Sequence, residues 1–158
     1  MCLLCNKNQD LIGIRKIQIC KNLKEIPIGL KNIEELYCNN NQNITTIPKQ
    51  LSKLKVLDCC NTQVLSIPPS LLRLQTLWCG FTNISEIPRE LVLLQVLFCN
   101  SSDISEIPNT LINLKTIWCI NTQICFIPSE LEHLKYIDCK NSNITSLPYN
   151  LNHITIHN

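Results

Sequence analysis

One dipeptide returns along this chain at a nearly constant interval: Ile26-Pro27, Ile47-Pro48, Ile67-Pro68, Ile87-Pro88, Ile107-Pro108, Ile127-Pro128 and Leu147-Pro148. The first spacing is 21 residues and each later one is 20. Such a period marks a stack of one repeated unit. Aligned on the prolines, "LKVLDCCNTQVLSIPPSLLR" from Leu54 is followed by "LQTLWCGFTNISEIPRELVL", "LQVLFCNSSDISEIPNTLIN", "LKTIWCINTQICFIPSELEH" and "LKYIDCKNSNITSLPYNLNH". With Leu54 as position 1, positions 1, 4, 6, 11, 14 and 18 stay aliphatic or small and apolar.

Those positions carry a physical reading. Positions 4 and 6 alternate with variable positions 3, 5 and 7, the period of a strand with one buried face. Proline at position 15 cannot join a ladder inside a sheet, so that half of the unit runs outside it. A 20-residue unit with one short strand encloses no core alone, but stacked units share one, each strand pairing in parallel with its predecessor. The 158 residues are the length of one ordinary domain, and 45% apolar residues suffice to fill it. The expected domain spans 1–158, with an N-terminal cap at 1–13, repeats starting near 14, 33, 54, 74, 94, 114 and 134, and a partial unit at 154–158. In the first unit Ile14, Ile17, Ile19 and Asn22 fit positions 1, 4, 6 and 9.

The unit LxxLxCxxTxIxxIPxxLxx resembles the leucine-rich repeat, whose pattern is LxxLxLxxNxL followed by a variable segment, over roughly residues 14–158. Its shortness, and the proline after the position-14 aliphatic, are similar to the bacterial-effector subclass. The resemblance implies a right-handed horseshoe with a concave parallel β-sheet and an extended, mostly non-helical convex side. Position 6 departs from the family in carrying Cys38, Cys59, Cys79, Cys99, Cys119 and Cys139. Position 9, usually Asn, holds Asn41, Thr62, Thr82, Ser102, Thr122 and Ser142. A hydroxyl there still satisfies loop backbone groups, with fewer hydrogen bonds than an amide. The Asn-, Ile- and Lys-rich composition and the cysteine-bearing units also resemble leucine-rich-repeat proteins of mimivirus-type giant viruses.

The six position-6 cysteines read as a structural buried column, each thiol a small, soft hydrophobe in a narrow core. In-register strands about 4.8 Å apart hold parallel Cβ atoms wider than the roughly 3.8 Å a disulfide prefers. A straight column also offers no tetrahedral convergence for a metal, so no cofactor or metal is expected. Cys2, Cys5 and Cys20 are the residues a zinc knuckle would use, but a fourth ligand is not evident. Cys60 at position 7 and Cys125 at position 12 are expected nearer the surface and more reactive.

Position 5 faces outward from the concave sheet and reads Tyr37, Asp58, Trp78, Phe98, Trp118 and Asp138 down the stack, with Tyr136 at position 3 beside its end and Phe81 at position 8 on its flank. Trp78, Phe98 and Trp118 together could supply roughly 450 to 750 Å² of contact area. Monomers seldom leave that much apolar area unused, and Trp and Tyr are common interface anchors, so these positions are the candidate partner-binding residues. The alternative is that the rings stack about 4.8 Å apart and stiffen the sheet.

Several classes of function are disfavoured. A net charge of +2 is mild for a nucleic-acid or membrane binder, and Glu and Asp share the face with Lys55, Lys115, Lys135 and Lys140. Stacking of single-stranded nucleic acid on Trp78 and Trp118 is the weaker expectation. All three His lie in the last quarter, and there is no phosphate loop or carboxylate pair, so the chain reads as non-catalytic. The N-terminus lacks a basic region followed by an apolar stretch, and no apolar run approaches the roughly 18 residues of a membrane span; a cytoplasmic protein is expected, in the host cytoplasm if viral. The sites Asn43, Asn83, Asn100 and Asn143 fit the glycosylation pattern, but position 10 followed by an aliphatic generates three of them automatically. The function expected is recognition of a protein or peptide partner, a host protein among the candidates. The alternative is a self-associating structural protein. Ile154 and His157 would stand at positions 1 and 4 of a last, uncapped unit, giving a homodimer edge near Tyr149 to His157.

Overall fold

The computed structural model describes residues 13–154 and the backbone of residues 156–157. Residues 1–12 of the cap expected at 1–13, Cys2 and Cys5 among them, lie outside the described residues, as do the side chains beyond Ile154.

Seven strands of three residues form one parallel sheet: β1 (Lys16–Gln18), β2 (Glu35–Tyr37), β3 (Val56–Asp58), β4 (Thr76–Trp78), β5 (Val96–Phe98), β6 (Thr116–Trp118) and β7 (Tyr136–Asp138). A two-residue β8 (Ile156–His157) completes it, and the spatial order is the sequence order. Every strand therefore pairs only with its neighbours in sequence, the topology of a solenoid. The middle residue of β1 to β7 is buried and its two flanks are more exposed, so one face packs inward and the other is open.

Outside the sheet the chain runs extended and then turns. Among the described residues the only helical piece is a single 3₁₀ turn, Tyr149–Leu151. The turn is set by the proline, whose carbonyl accepts the backbone N–H three residues on: Leu71 N–H donates to Pro68 O at 3.2 Å, and Leu91, Leu111 and Leu131 repeat the bond. Proline loses nothing by lacking an N–H there, because its own nitrogen faces no ladder partner. Positions 1, 4, 6, 11, 14 and 18 together form one continuous core from Ile17 to Ile154, in which Leu54, Leu57, Val64 and Leu71 are fully buried.

Position 8 is a second constant of the unit. Asn40, Asn61, Phe81, Ser101, Asn121 and Asn141 all have φ between 53° and 58°. The chain leaves each of β2 to β7 through one left-handed residue, a conformation Asn tolerates and Phe does not favour.

Two details differ from a strict 20-residue count. Lys16 pairs with Glu35, 19 residues on, and Glu35 pairs with Val56, 21 on, so a shortened first unit and a lengthened second one cancel. Asn22 is consequently exposed and does not take the buried position-9 place. Asn41, buried at position 9 of the second unit, serves the first unit's loop, its Nδ2 donating back to Cys20 O at 2.8 Å and Leu23 O at 3.0 Å. At the other end Ile156 pairs with Ile137 and His157 with Asp138. The last unit is one residue short, which puts Ile156 at position 4 and His157 at position 5, rather than His157 where an aliphatic belongs.

Candidate functional site

The open face is assembled from the first and third residues of each strand. Tyr37, Asp58, Trp78, Phe98, Trp118 and Asp138 are the last residues of β2 to β7, and all are half-buried. The register sets Tyr37 beside Asp58, Asp58 beside Trp78, Trp78 beside Phe98, Phe98 beside Trp118 and Trp118 beside Asp138. Tyr136, the first residue of β7, is also half-buried on this face.

The rings do not stack at strand spacing. Phe98 and Trp118 have centroids 6.4 Å apart at 49°, and Trp118 and Tyr136 are 5.6 Å apart at 50°. Tyr37 and Trp78 approach to 6.3 Å at 43°, across the small Asp58 between them. Tilted contacts of this kind are preferred over a face-to-face sandwich. Among the described residues no ring contact joins Trp78 to Phe98, so the stripe is two groups. Phe98 leans instead onto Gly80, where a β-carbon would overlap its ring edge. Because the rings already cover one another, the area they offer a partner is smaller than three free rings would give. Phe81, 58% exposed, is the open ring on the flank.

The two aspartates in this column serve the backbone. Asp58 Oδ1 accepts the Cys60 N–H at 3.1 Å and Asp138 Oδ1 accepts the Lys140 N–H at 3.4 Å, both fastening the strand exit. Burial pushes the Asp58 carboxyl above the usual range, partly offset by the Cys60 N–H.

Sequence reasoning missed the charged cluster at the N-terminal end of this face. Glu34 takes Lys55 at 2.6 Å and Arg15 at 2.9 Å, and Glu35 takes Lys16 at 2.8 Å. The Tyr37 hydroxyl donates to Glu35 at 2.9 Å, and the Lys16 ammonium lies 4.8 Å from the centre of the Tyr37 ring. The hydrogen bond from Lys55 holds Glu34 below the ordinary carboxylate range, and that from Lys16 does the same for Glu35. Opposite charges at positions 2 and 3 of successive units were the available signal.

Behind the face, Cys38, Cys59, Cys79, Cys99, Cys119 and Cys139 are buried in one column. Burial pushes the Cys38 and Cys119 thiols up to about 12 and raises Cys59, Cys79 and Cys99 as well. Cys125 is exposed. Cys60 lies nearer the surface than the buried column, as its position suggested, but its surroundings oppose ionisation of the thiol. Burial first, and then the neighbouring Asp58 charge, push it to about 12, where almost no thiolate exists at neutral pH. Among the described residues no group of His, Cys, Asp and Glu is placed to hold a metal ion.

A coiled stack of three-residue parallel strands, with a hydroxyl or amide closing each exit loop and an extended outer arc, defines a leucine-rich-repeat solenoid. The family model described as "Leucine Rich Repeat" matches residues 32–54. Among solved structures, a leucine-rich-repeat protein of Leptospira interrogans aligns with TM-score 0.69 and 22% identity over 89% of this chain and 40% of its own. The functional domain of InlJ from Listeria monocytogenes, described as including a cysteine ladder, gives 0.61 and 20% over 84% and 38%. The plant peptide hormone receptor RGFR1, in complex with RGF2, gives 0.62 and 19% over 89% and 27%. The chain thus spans less than half the length of these neighbours, and the likeness is one of fold. A comparison with curated proteins finds no match. Among the described residues no helix is long and apolar enough to cross a membrane.

Proposed function

We propose that the chain is a non-catalytic recognition module that binds a protein or peptide partner on the open, concave face of its sheet. Tyr37, Asp58, Trp78, Phe98, Trp118, Tyr136 and Asp138 form the contact column, and Phe81 extends it sideways. Leucine-rich-repeat folds generally serve protein–protein interaction rather than catalysis, and the plant peptide hormone receptor neighbour was solved in complex with RGF2. The observation that carries the reading is the concentration of half-buried rings on one rigid face, flanked by an open Phe81. Tryptophan and tyrosine in such settings dominate binding energy. A cytoplasmic setting and a host protein as partner belong to the same reading.

Affinity capture from lysate with the parent protein beside a Trp78→Ala, Trp118→Ala double variant tests it. Truncating either anchor is expected to weaken binding by about 2 kcal/mol or more with the fold intact. A captured partner held equally by the double variant would end the proposal.

A further inference from the structure

A groove of about 1010 Å³ runs along the outer arc, away from the sheet. Its floor is apolar: Pro68, Pro88, Pro108 and Pro128 lie over the buried column Ile67, Ile87, Ile107 and Ile127. Its rims are acidic. Glu86 and Glu106 occupy position 13 of adjacent coils on one side, and Glu90 and Glu130 occupy position 17 on the other, against the single Arg89. Four of the chain's 12 acidic residues thus gather on a chain of net charge +2.

Three of these carboxylates are uncommitted. Among the described residues Glu86, Glu90 and Glu106 form no ion pair and no hydrogen bond, whereas Glu34 and Glu35 on the sheet are fully engaged with cations. Glu130 is oriented by Asn109 Nδ2 at 3.0 Å. On the position-17 rim Thr110 Oγ1 donates to Arg89 O at 2.6 Å, which ties two adjacent coils of the groove together.

We propose that this groove binds an extended, lysine- or arginine-rich peptide segment of a partner protein. Charge complementarity selects the sign: unpaired carboxylates on both rims repel phosphate and acidic peptides and attract cationic side chains. The apolar floor selects lysine and arginine stems, which lie along proline and isoleucine while their charged heads reach the rims. From Pro68 to Pro148 the trough crosses four coil steps, about 20 Å at about 4.8 Å each, which an extended segment of roughly six residues spans. This surface is separate from the aromatic column, so either could fail without the other.

The test uses a fluorescein-labelled hexapeptide alternating lysine and valine, followed by anisotropy with the whole chain at low salt. Saturable binding is expected, weakening as salt rises. A Glu86→Gln, Glu106→Gln double variant, whose exposed substitutions leave the melting transition in place, should bind roughly fivefold more weakly. The same peptide with glutamate for lysine should not bind, and the Trp78→Ala, Trp118→Ala protein should bind like the parent. Equal affinity in the glutamine variant, absence of saturable binding by the parent, or loss of binding in the tryptophan variant would each overturn the proposal.

Discussion

The Phe98 ring rests on the backbone of Gly80, one coil before it, so closely that residue 80 has no room for a β-carbon. The Asn100 carbonyl, 3.0 Å from the same point, closes the other side. Gly80→Ala is therefore expected to swing Phe98 outward, separating it from Trp118, at a cost of about 1 kcal/mol. Tryptophan fluorescence and the urea midpoint read both effects. An unchanged spectrum and midpoint would show that the ring does not depend on the missing side chain.

Left-handed backbone at position 8 makes a prediction of opposite sign. Phe81 has φ 57° with a bulky, exposed ring, where four of the six equivalent residues are Asn. Phe81→Asn should stabilise the fold by about 0.5 to 1 kcal/mol, since an amide side chain accepts this conformation more readily. If Phe81 is kept for contact, the same substitution weakens partner capture while raising the melting temperature. A lower melting temperature would contradict the strain argument.

Position-9 hydroxyls close the exit loops of β3 to β6 from within. Thr82 Oγ1 donates to Cys79 O at 2.6 Å, and Thr62, Ser102 and Thr122 make the equivalent bond. Thr82→Val keeps the shape and leaves that carbonyl without its donor, so a loss of about 1 to 3 kcal/mol is expected in urea unfolding. A neutral result would mean that water replaces the hydroxyl.

Buried thiols set the alkaline limit of stability. An unfolded cysteine ionises near pH 8.5, whereas Cys38 and Cys119 hold their protons to about 12. Between those values the unfolded chain releases protons that the folded one keeps, so stability is full below about pH 8.5 and falls as pH rises. Each such thiol contributes a loss of about 1.4 kcal/mol per pH unit in that window. Urea midpoints at pH 7, 9 and 10 should fall in that order. Alkylation at neutral pH should modify Cys125 rapidly and spare Cys79 and Cys99 until the chain unfolds.

The period of the prolines and the alternation about positions 4 and 6 were enough to read the parallel sheet and its core, because both express burial, which acts on every unit alike. Features decided between units were harder to see. The tilt of Trp118 toward Tyr136, the lean of Phe98 onto Gly80 and the Asp58 bond to Cys60 depend on side-chain directions that no spacing records. The first and last units defeated a strict count for a related reason. One residue can be lost or gained in a loop, as at Gln42 and Asn43, while the strand pairing re-forms on either side. The carboxylates of the outer trough are remote from the sheet and follow no single position, so the repeat concealed them.

That compensating pair of a 19-residue and a 21-residue spacing around β2 carries one more consequence. The strands behave as a ruler with fixed graduations, while the arcs between them absorb errors in chain length. Duplication or loss of a whole coil would leave the graduations aligned and merely lengthen or shorten the row of outward side chains. A chain of this kind can change the length of that row by copying itself, with no new contact between coils to invent.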